Sequence, residues 1–303
     1  MPFNVIDGVP LLFIHIPKTG GTSIKKYFGF QESGHETMQD FLYHLDEARL
    51  LLAMNKEHSE NEETVKKWTS TLSTGFGTLV SKARRDKVHP FHYLFKFSFV
   101  RNPWDRSTSI YHYHKDDYGG LGTFKDFTEE LKTRSGPIFQ PEADSVLRLT
   151  QTQYLSIGDK HATVVPEKFD ESGAYNYRAL HPTADANSRI MIDHVGRLET
   201  IERDVEHICR TMRGSPARTD VSWMNNRSDF ISHERKSLNS RHRYTSMYKD
   251  FDAIYAVFDY YYDDITNFGY TFAGYPNCEI TKECFKRRGE SANVSTITSG
   301  THN

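Results

Sequence analysis

The sequence predicts an α/β fold in three layers, with a mostly parallel central sheet flanked by helices. The apolar segment 11–16 suits a buried strand, and 92–100, where phenylalanine alternates with Lys96 and Ser98, suits a second strand. Each runs directly into a turn and a helix. A third strand candidate, 189–195, is again followed by a helical pattern. Strands that alternate with helices in this way are typical of parallel sheets covered on both faces.

The helices are predicted from the spacing of their apolar residues. After the first strand a helix begins near Thr22 and places Ile24 and Phe28 on one face. A proline ends the second strand and starts a helix over about 105–113. Other helices are predicted over 40–54, over 247–262, and after the third strand, where Ile201, Val205, Ile208 and Met212 share one face.

Composition and charge limit the classes of function. The chain has 303 residues, of which 37% are hydrophobic and 26% charged, as in ordinary globular proteins. A net charge of −2 gives no support to nucleic acid or another polyanion as a partner. No apolar run is long enough for a membrane span and the start lacks a secretory signal, so a cytoplasmic protein is expected.

The first strand ends in IPKTGGTS, a pattern that favours an anion-binding turn. A helix that begins at such a turn offers unpaired backbone N–H groups and the positive end of its dipole. Gly20 and Gly21 allow a close approach of the backbone, and Lys18 adds a full charge. Thr22 and Ser23 are predicted to cap the helix and to donate from their hydroxyls. The alternative is a simple turn with a surface lysine.

The turn does not match the nucleoside triphosphate P-loop, because its lysine precedes the glycines. A strand-terminal aspartate that would hold magnesium is also missing from the pattern. A second segment, FVRNPWDRSTSIY, places Arg101 at the end of a strand and Ser109 eight residues later in a helix. A guanidinium and a hydroxyl at such a place suit a separate phosphate group, although Arg101 could instead be a structural ion-pair partner.

These segments together resemble the sulfotransferase family, specifically its carbohydrate sulfotransferase branch and bacterial relatives. IPKTGGTSI is similar to the family's 5′-phosphosulfate loop, and FVRNPWDRSTSIY to its 3′-phosphate segment. The resemblance continues in HVGRLETIERDVEHI, in the Asn-Arg-Ser stretch at 226–228 and in YYYDDITNFGY, and so covers about 10–270. It implies a P-loop-like fold, 3′-phosphoadenosine-5′-phosphosulfate (PAPS) as donor, PAP as product and no required metal.

The resemblance also implies roles for single residues. Lys18 would neutralise the leaving oxygen of the donor, while Arg101 and Ser109 would hold its 3′-phosphate. The 5′-phosphosulfate would be bound by Lys18, Thr19, Gly20, Gly21, Thr22 and Ser23.

Transfer to a hydroxyl also needs a base with a pKa near neutrality, which favours histidine. His35 is the preferred candidate, because it follows the first helix in SGHETM, where relatives of this branch show a similar stretch and a catalytic histidine. His89 and His92, just before the second strand, are the alternatives. His15 is expected to be a hydrogen-bonded core residue.

The predicted organisation is one sulfotransferase-like domain over 1–275, with a helical insertion at 40–87 and a polar, flexible tail at 276–303. The expected acceptor is a hydroxyl or amine of a sugar, a glycolipid or a small natural product. Two other functions stay open at this point: a non-catalytic nucleotide- or glycan-binding protein of the same fold, and an ATP-dependent small-molecule kinase.

Overall fold

The computed structural model describes residues 3–6, 8–30, 35–42, 79, 82–83, 85–86, 90–118, 122–139, 149–158, 165–169, 175–178, 188–190, 192–213, 244–274 and 278–289. The chain forms two compact units. The first unit takes residues 1–16, 20–99 and 153–227, and the second takes residues 17–19, 100–152 and 228–303.

The first unit contains a four-stranded sheet in the order β1-β2-β3-β8. β1 (Phe3–Ile6) and β2 (Val9–Ile14) form an antiparallel hairpin, and β2 lies parallel to β3 (Phe95–Val100). β8 (His194–Arg197) is the neighbour of β3 on its other side. The fold is therefore mixed α/β with a mostly parallel sheet, and the predicted fold class is confirmed.

β3 is buried from Lys96 to Val100, including the two polar side chains that alternate with its phenylalanines. The Lys96 side chain is only 7% exposed, and its Nζ lies 2.7 Å from Asp193 Oδ2. Ser98 Oγ donates to the carbonyl oxygen of Ile14 at 2.7 Å. Because both polar side chains find partners, the strand is accommodated between its neighbours in the sheet.

Two helices of the first unit follow strands of this sheet. In α1 (Gly21–Phe28), Ile24 and Phe28 are buried as predicted, and the Phe28 ring centroid lies 5.2 Å from that of Phe97. α5 (Ile201–Arg213) buries the whole predicted face, since Ile201, Val205, Ile208 and Met212 are at most 4% exposed. Tyr27 of α1 and Cys209 of α5 are in contact, with 4.0 Å between Oη and Sγ.

The third predicted strand, 189–195, is interrupted and belongs to two sheets. Its first part is β7 (Ser188–Ile190), which pairs with β4 (Ser156–Gly158), and its second part is β8. Another two-stranded sheet joins β5 (Val165–Phe169) and β6 (Tyr175–Arg178).

The helices of the second unit pack around Trp104. Trp104 is fully buried, donates from Nε1 to the carbonyl oxygen of Ile254 at 3.0 Å, and meets Phe272 edge to face at 5.7 Å. The predicted helix 247–262 is divided at Tyr261. The helices are α2 (Pro103–Tyr118), α3 (Phe124–Thr133), α6 (Tyr244–Met247), α7 (Phe251–Tyr260), α8 (Tyr262–Phe268) and α9 (Glu279–Arg287), while α4 (Gln151–Leu155) begins in this unit.

α9 lies within the segment predicted to be a flexible tail. It is a packed helix, because Cys284 is fully buried and Arg287 is paired with Asp252 at 2.7 Å and stacked on Tyr255 at 4.2 Å. The flexible-tail prediction thus differs from the structure over 279–287, and residues 290–303 lie outside the described part. In the described part, no helix combines the length and the apolar character that crossing a membrane requires.

The predicted insertion at 40–87 also lies mostly outside the described residues. Those that are described, 40–42, 79, 82–83 and 85–86, are helical. Phe41, Leu42, Leu79 and Ala83 among them are buried. That this segment is an insertion stays a prediction.

Candidate active site

The chain between β2 and α1 turns through two left-handed backbone conformations. Lys18 has a φ of 67° and Gly20 a φ of 82°. Glycine adopts this region without cost, whereas a residue with a Cβ rarely does, at an expense of about 1 kcal/mol. The conformation at Lys18 must therefore be stabilised by its surroundings, and such outliers occur often at functional sites.

Two arginines of the second unit hold the carbonyl groups on either side of Lys18. Arg106 Nε donates to the carbonyl oxygen of Pro17 at 3.1 Å, and Arg101 Nη1 donates to that of Lys18 at 3.1 Å. Pro17–Thr19 and both arginines belong to the same unit. The turn is thus hydrogen-bonded to the segment that follows β3.

Arg101 is also held by Asp105 through two parallel hydrogen bonds. Nε donates to Oδ2 at 2.8 Å and Nη2 to Oδ1 at 2.9 Å, with side chains only 12% and 9% exposed. A guanidinium has five N–H groups. Three point at Asp105 and the Lys18 carbonyl, so two remain for a ligand as far as the described residues are concerned. Arg101 is therefore an ion-pair partner that can still bind an anion.

Gln151 fixes the backbone of Arg101. Its side-chain Oε1 accepts from Arg101 N–H at 2.7 Å, and its Nε2 donates to the Arg101 carbonyl oxygen at 2.9 Å. The backbone N–H groups of Gln151 and Thr152 in turn donate to the fully buried Asp264 at 2.8 and 2.7 Å. Burial raises the pKa of Asp264, opposed by the nearby Arg106 charge and these N–H groups.

Lys18 contacts α2, and Ser109 lies within this helix. Lys18 Nζ lies 4.6 Å from the ring centroid of Tyr113, within cation–π distance. Ser109 is four residues before Tyr113, so the two side chains occupy neighbouring positions on one face of the helix. Ser109 is half-buried.

The N-terminus of α1 lacks a side-chain cap, so the prediction that Thr22 or Ser23 caps the helix is wrong. The N-cap is Gly20, whose carbonyl oxygen accepts from the N–H groups of Ser23 and Ile24. Thr22 is exposed in the first turn and Thr19 is fully buried. Among the described residues, no side chain makes the capping hydrogen bond at the start of this helix.

His15 lies directly against Gly21. A Cβ at position 21 would come within 1.7 Å of His15 Cδ2, so only glycine fits there. His15 is 7% exposed and its Nδ1 has no hydrogen-bond partner among the described residues, so the expected hydrogen bond is absent. Burial, together with the charges of His35 and Lys25, lowers the pKa of His15 to about 3, and the ring is neutral near pH 7.

His35, the predicted base, is packed against His15. The ring centroids are 4.3 Å apart, and His35 Nδ1 lies 3.2 Å from the carbonyl oxygen of His15. A carbonyl can only accept, so Nδ1 must carry the proton, which leaves Nε2 of the neutral ring as an acceptor. His92 is half-buried in a 3₁₀ turn, Pro90–Tyr93, while His89, Arg227 and Ser228 lie outside the described residues.

The predicted site residues divide between the units. Lys18, Thr19, Arg101 and Ser109 belong to the second unit, and the structure brings Lys18 and Arg101 into direct contact. Gly20, Gly21, Thr22, Ser23 and His35 belong to the first. Within the described residues, no group of three or more histidine, cysteine and acidic side chains is arranged to hold a metal ion.

Comparison with known proteins identifies the family. A model described as the sulfotransferase family matches residues 1–271, which is most of the chain. The chain belongs to the sulfotransferase family. No curated protein and no solved structure matches it. Membership supports transfer of a sulfuryl group as the general reaction, and it places α9 beyond the matched region.

Sequence reasoning missed the residues that hold this family member's loop in place. Asp105 and Arg106 stand inside the quoted segment RNPWDRSTS, in the first turn of a helix whose neighbouring positions are buried. Charged side chains at buried helical positions are a signal that they have partners. Gln151 and Asp264 carry no such signal, because their roles depend on contacts 50 and 113 residues apart in the chain.

Proposed function

We propose that this protein is a PAPS-dependent sulfotransferase that acts on a hydroxyl or amine of a sugar, a glycolipid or a small natural product. The hydrogen bond from Arg101 to the Lys18 carbonyl carries the proposal. It joins the two segments for which the family resemblance implies binding of the 3′-phosphate and of the 5′-phosphosulfate. A donor with two separated anionic groups fits that arrangement.

The charged groups and hydrogen-bond donors of the second unit fit a ligand with two separated anionic groups. Arg101 keeps two N–H groups for an anion, and Ser109 adds a half-buried hydroxyl. Asp105 offsets the charge of Arg101, so orientation by hydrogen bonds contributes more to binding there than net charge does. Lys18 supplies a full positive charge two residues before Gly20, the N-cap of α1.

Lys18 would stabilise the transferring group's departure. When bound, PAPS supplies the sulfuryl group. As this group departs, negative charge develops on the oxygen to which it was attached. An ammonium group at this oxygen lowers the barrier without taking part in a covalent bond. The turn holds Lys18 in a defined backbone conformation, which is the preorganisation that electrostatic catalysis requires.

His35 would accept the proton of the acceptor hydroxyl. The carbonyl of His15 fixes the proton on Nδ1, so Nε2 is ready to act as a base. The neutral His15 ring packs against His35 and adds no opposing charge at neutral pH. His92 is the second candidate for this role, because it is half-buried.

Charge and family support the proposed acceptor class. With a net charge of −2, the chain shows no general attraction for a highly sulfated or phosphorylated polymer. A neutral sugar, a glycolipid or a small natural product is consistent with that balance.

Incubation of the protein with radiolabelled PAPS and a panel of such acceptors tests the proposed function. We expect label in at least one acceptor class and formation of PAP in equal amount. PAP binding without transfer to any acceptor would favour the non-catalytic binding protein. Transfer of phosphate from magnesium-ATP instead would favour the kinase.

A further inference from the structure

We propose that Arg106 is a positioning residue, which acts together with Arg101 to force the left-handed backbone conformation of Lys18. Its catalytic consequence rests on the proposed function, but the conformational coupling does not. Arg106 is fully buried, so it acts through the loop backbone and does not touch the substrate.

The side chain of Arg106 is fixed on several sides. Nη1 and Nη2 both donate to the carbonyl oxygen of Leu149 at 3.2 Å, and the guanidinium lies 5.6 Å from the ring centroid of Tyr261. The buried Asp264 carboxyl lies close enough for the positive charge of Arg106 to lower its pKa, against the effect of burial. With these contacts in place, the Nε–H group has a fixed direction, and it points at the carbonyl oxygen of Pro17 at 3.1 Å.

Holding two successive carbonyls determines the conformation of the residue between them. The Pro17 carbonyl belongs to the peptide plane before Lys18, and the Lys18 carbonyl to the plane after it. Peptide units are planar, so φ and ψ of Lys18 alone set the angle between these planes. Arg106 fixes one plane and Arg101 fixes the other, which leaves Lys18 at a φ of 67°.

The same constraint gives the Lys18 side chain its direction. The Cα–Cβ bond follows from the backbone angles, and the ammonium group reaches the face of Tyr113 at 4.6 Å. We call the hydrogen bonds from Arg106 and Arg101 to the two carbonyls the brace. If the brace loosens, Lys18 can return to an ordinary backbone conformation, and its ammonium group leaves that position. We therefore expect catalysis to suffer more than donor binding does.

A comparison of melting temperatures in two backgrounds tests the coupling. With both arginines present, Lys18→Gly should melt roughly 2–4 °C above Lys18→Ala, because glycine alone tolerates the enforced conformation. In an Arg106→Lys background this difference should vanish or reverse. Lysine keeps the charge but lacks the rigid fork of N–H groups, so it cannot hold the carbonyls of Pro17 and Leu149 together.

Arg134 provides the matched control. It is the other described residue besides glycine with a positive φ, at 51°, and it ends α3. Arg134→Gly should melt above Arg134→Ala by a similar amount, and Arg106→Lys should leave that difference unchanged. If Arg106→Lys does not fold, Arg101→Lys provides the second background for the same comparison.

A kinetic measurement adds a readout that loss of stability alone would not move. Arg106→Lys should lower kcat for sulfuryl transfer about tenfold or more, with PAP affinity within about threefold of the wild type. If the melting temperatures of Lys18→Gly and Lys18→Ala differ equally in both backgrounds, the positioning role of Arg106 is overturned. Coupling in the melting data without any sulfuryl transfer would overturn the proposed function and leave the brace standing.

Discussion

The guanidinium of Arg101 donates a hydrogen bond to the carbonyl oxygen of Lys18, 83 positions earlier in the chain, at 3.1 Å. The same guanidinium is paired with Asp105 and its backbone is bound by the Gln151 side chain. A residue fixed at both its backbone and its side chain is well suited to orient a ligand, since little further entropy is lost when the ligand binds.

Arg101→Ala should weaken binding of PAP about tenfold to a hundredfold, because a charge-assisted hydrogen bond to the 3′-phosphate is lost. Binding of adenosine 5′-phosphate, which lacks that group, should change far less. Titration calorimetry with both ligands measures the difference. Arg210→Ala is a suitable control, because Arg210 also pairs with an acidic residue four positions away, on the exposed side of α5. Equal losses for both ligands would remove the 3′-phosphate assignment.

Lys18→Ala should lower kcat at least about a hundredfold, since the ammonium group that stabilises the leaving oxygen is removed. PAP affinity should fall by about tenfold or less. Lys26→Ala removes an exposed lysine of α1 and should leave both quantities unchanged. Steady-state kinetics and PAP titration on the two variants measure the separate effects on kcat and on PAP affinity. Normal turnover in Lys18→Ala would exclude the role assigned to Lys18.

His35→Asn should lower kcat about a hundredfold or more without loss of donor binding. The asparagine amide can replace Nδ1–H as donor to the His15 carbonyl but offers no base at the position of Nε2. His92→Asn is the comparison, and it should retain turnover. The reverse pattern would move the base to His92.

Burial of His15 predicts a stability that falls in mild acid. The folded pKa of about 3 lies below the ordinary value of 6.5, so the unfolded chain binds the extra proton as the pH falls below 6.5. The free energy of unfolding should decrease by about 2 kcal/mol from this group between pH 7.5 and 5.

Urea unfolding of wild type and His15→Asn at pH 7.5 and 5 measures that contribution. The variant should lose less stability than the wild type over this interval. His112→Asn, which removes an exposed histidine of α2, should behave as the wild type does. An identical loss in all three proteins would show that His15 does not carry the effect.

Local patterns in the sequence predicted much of the fold and the position of each site segment. The strand-turn-helix at Lys18 and the placement of Arg101 and Ser109 follow from short-range signals, namely apolar runs, glycines and a proline. The sequence did not predict that Lys18 would be left-handed, because that depends on hydrogen bonds 83 and 89 residues away in the chain.

Burial of polar residues is another feature that local patterns did not predict. Lys96 of β3 is buried with its ammonium group against Asp193, a contact that depends on a residue 97 positions later in the chain. Similarly, α9 was predicted as part of a polar tail, because the segment after Tyr275 ends in the polar stretch SANVSTITSGTHN. Arg287 and the adjacent Arg288 pair with α7, and Arg287 stacks on an aromatic ring, which only the tertiary structure reveals.

Thermal stabilisation by PAP against magnesium-ATP tests the central claim most directly, because a ligand that binds only the folded state raises the melting temperature. The account predicts stabilisation by PAP in the presence of EDTA, reduced in Arg101→Ala and unchanged in Arg210→Ala. Stabilisation by magnesium-ATP alone, with no response to PAP, would contradict it.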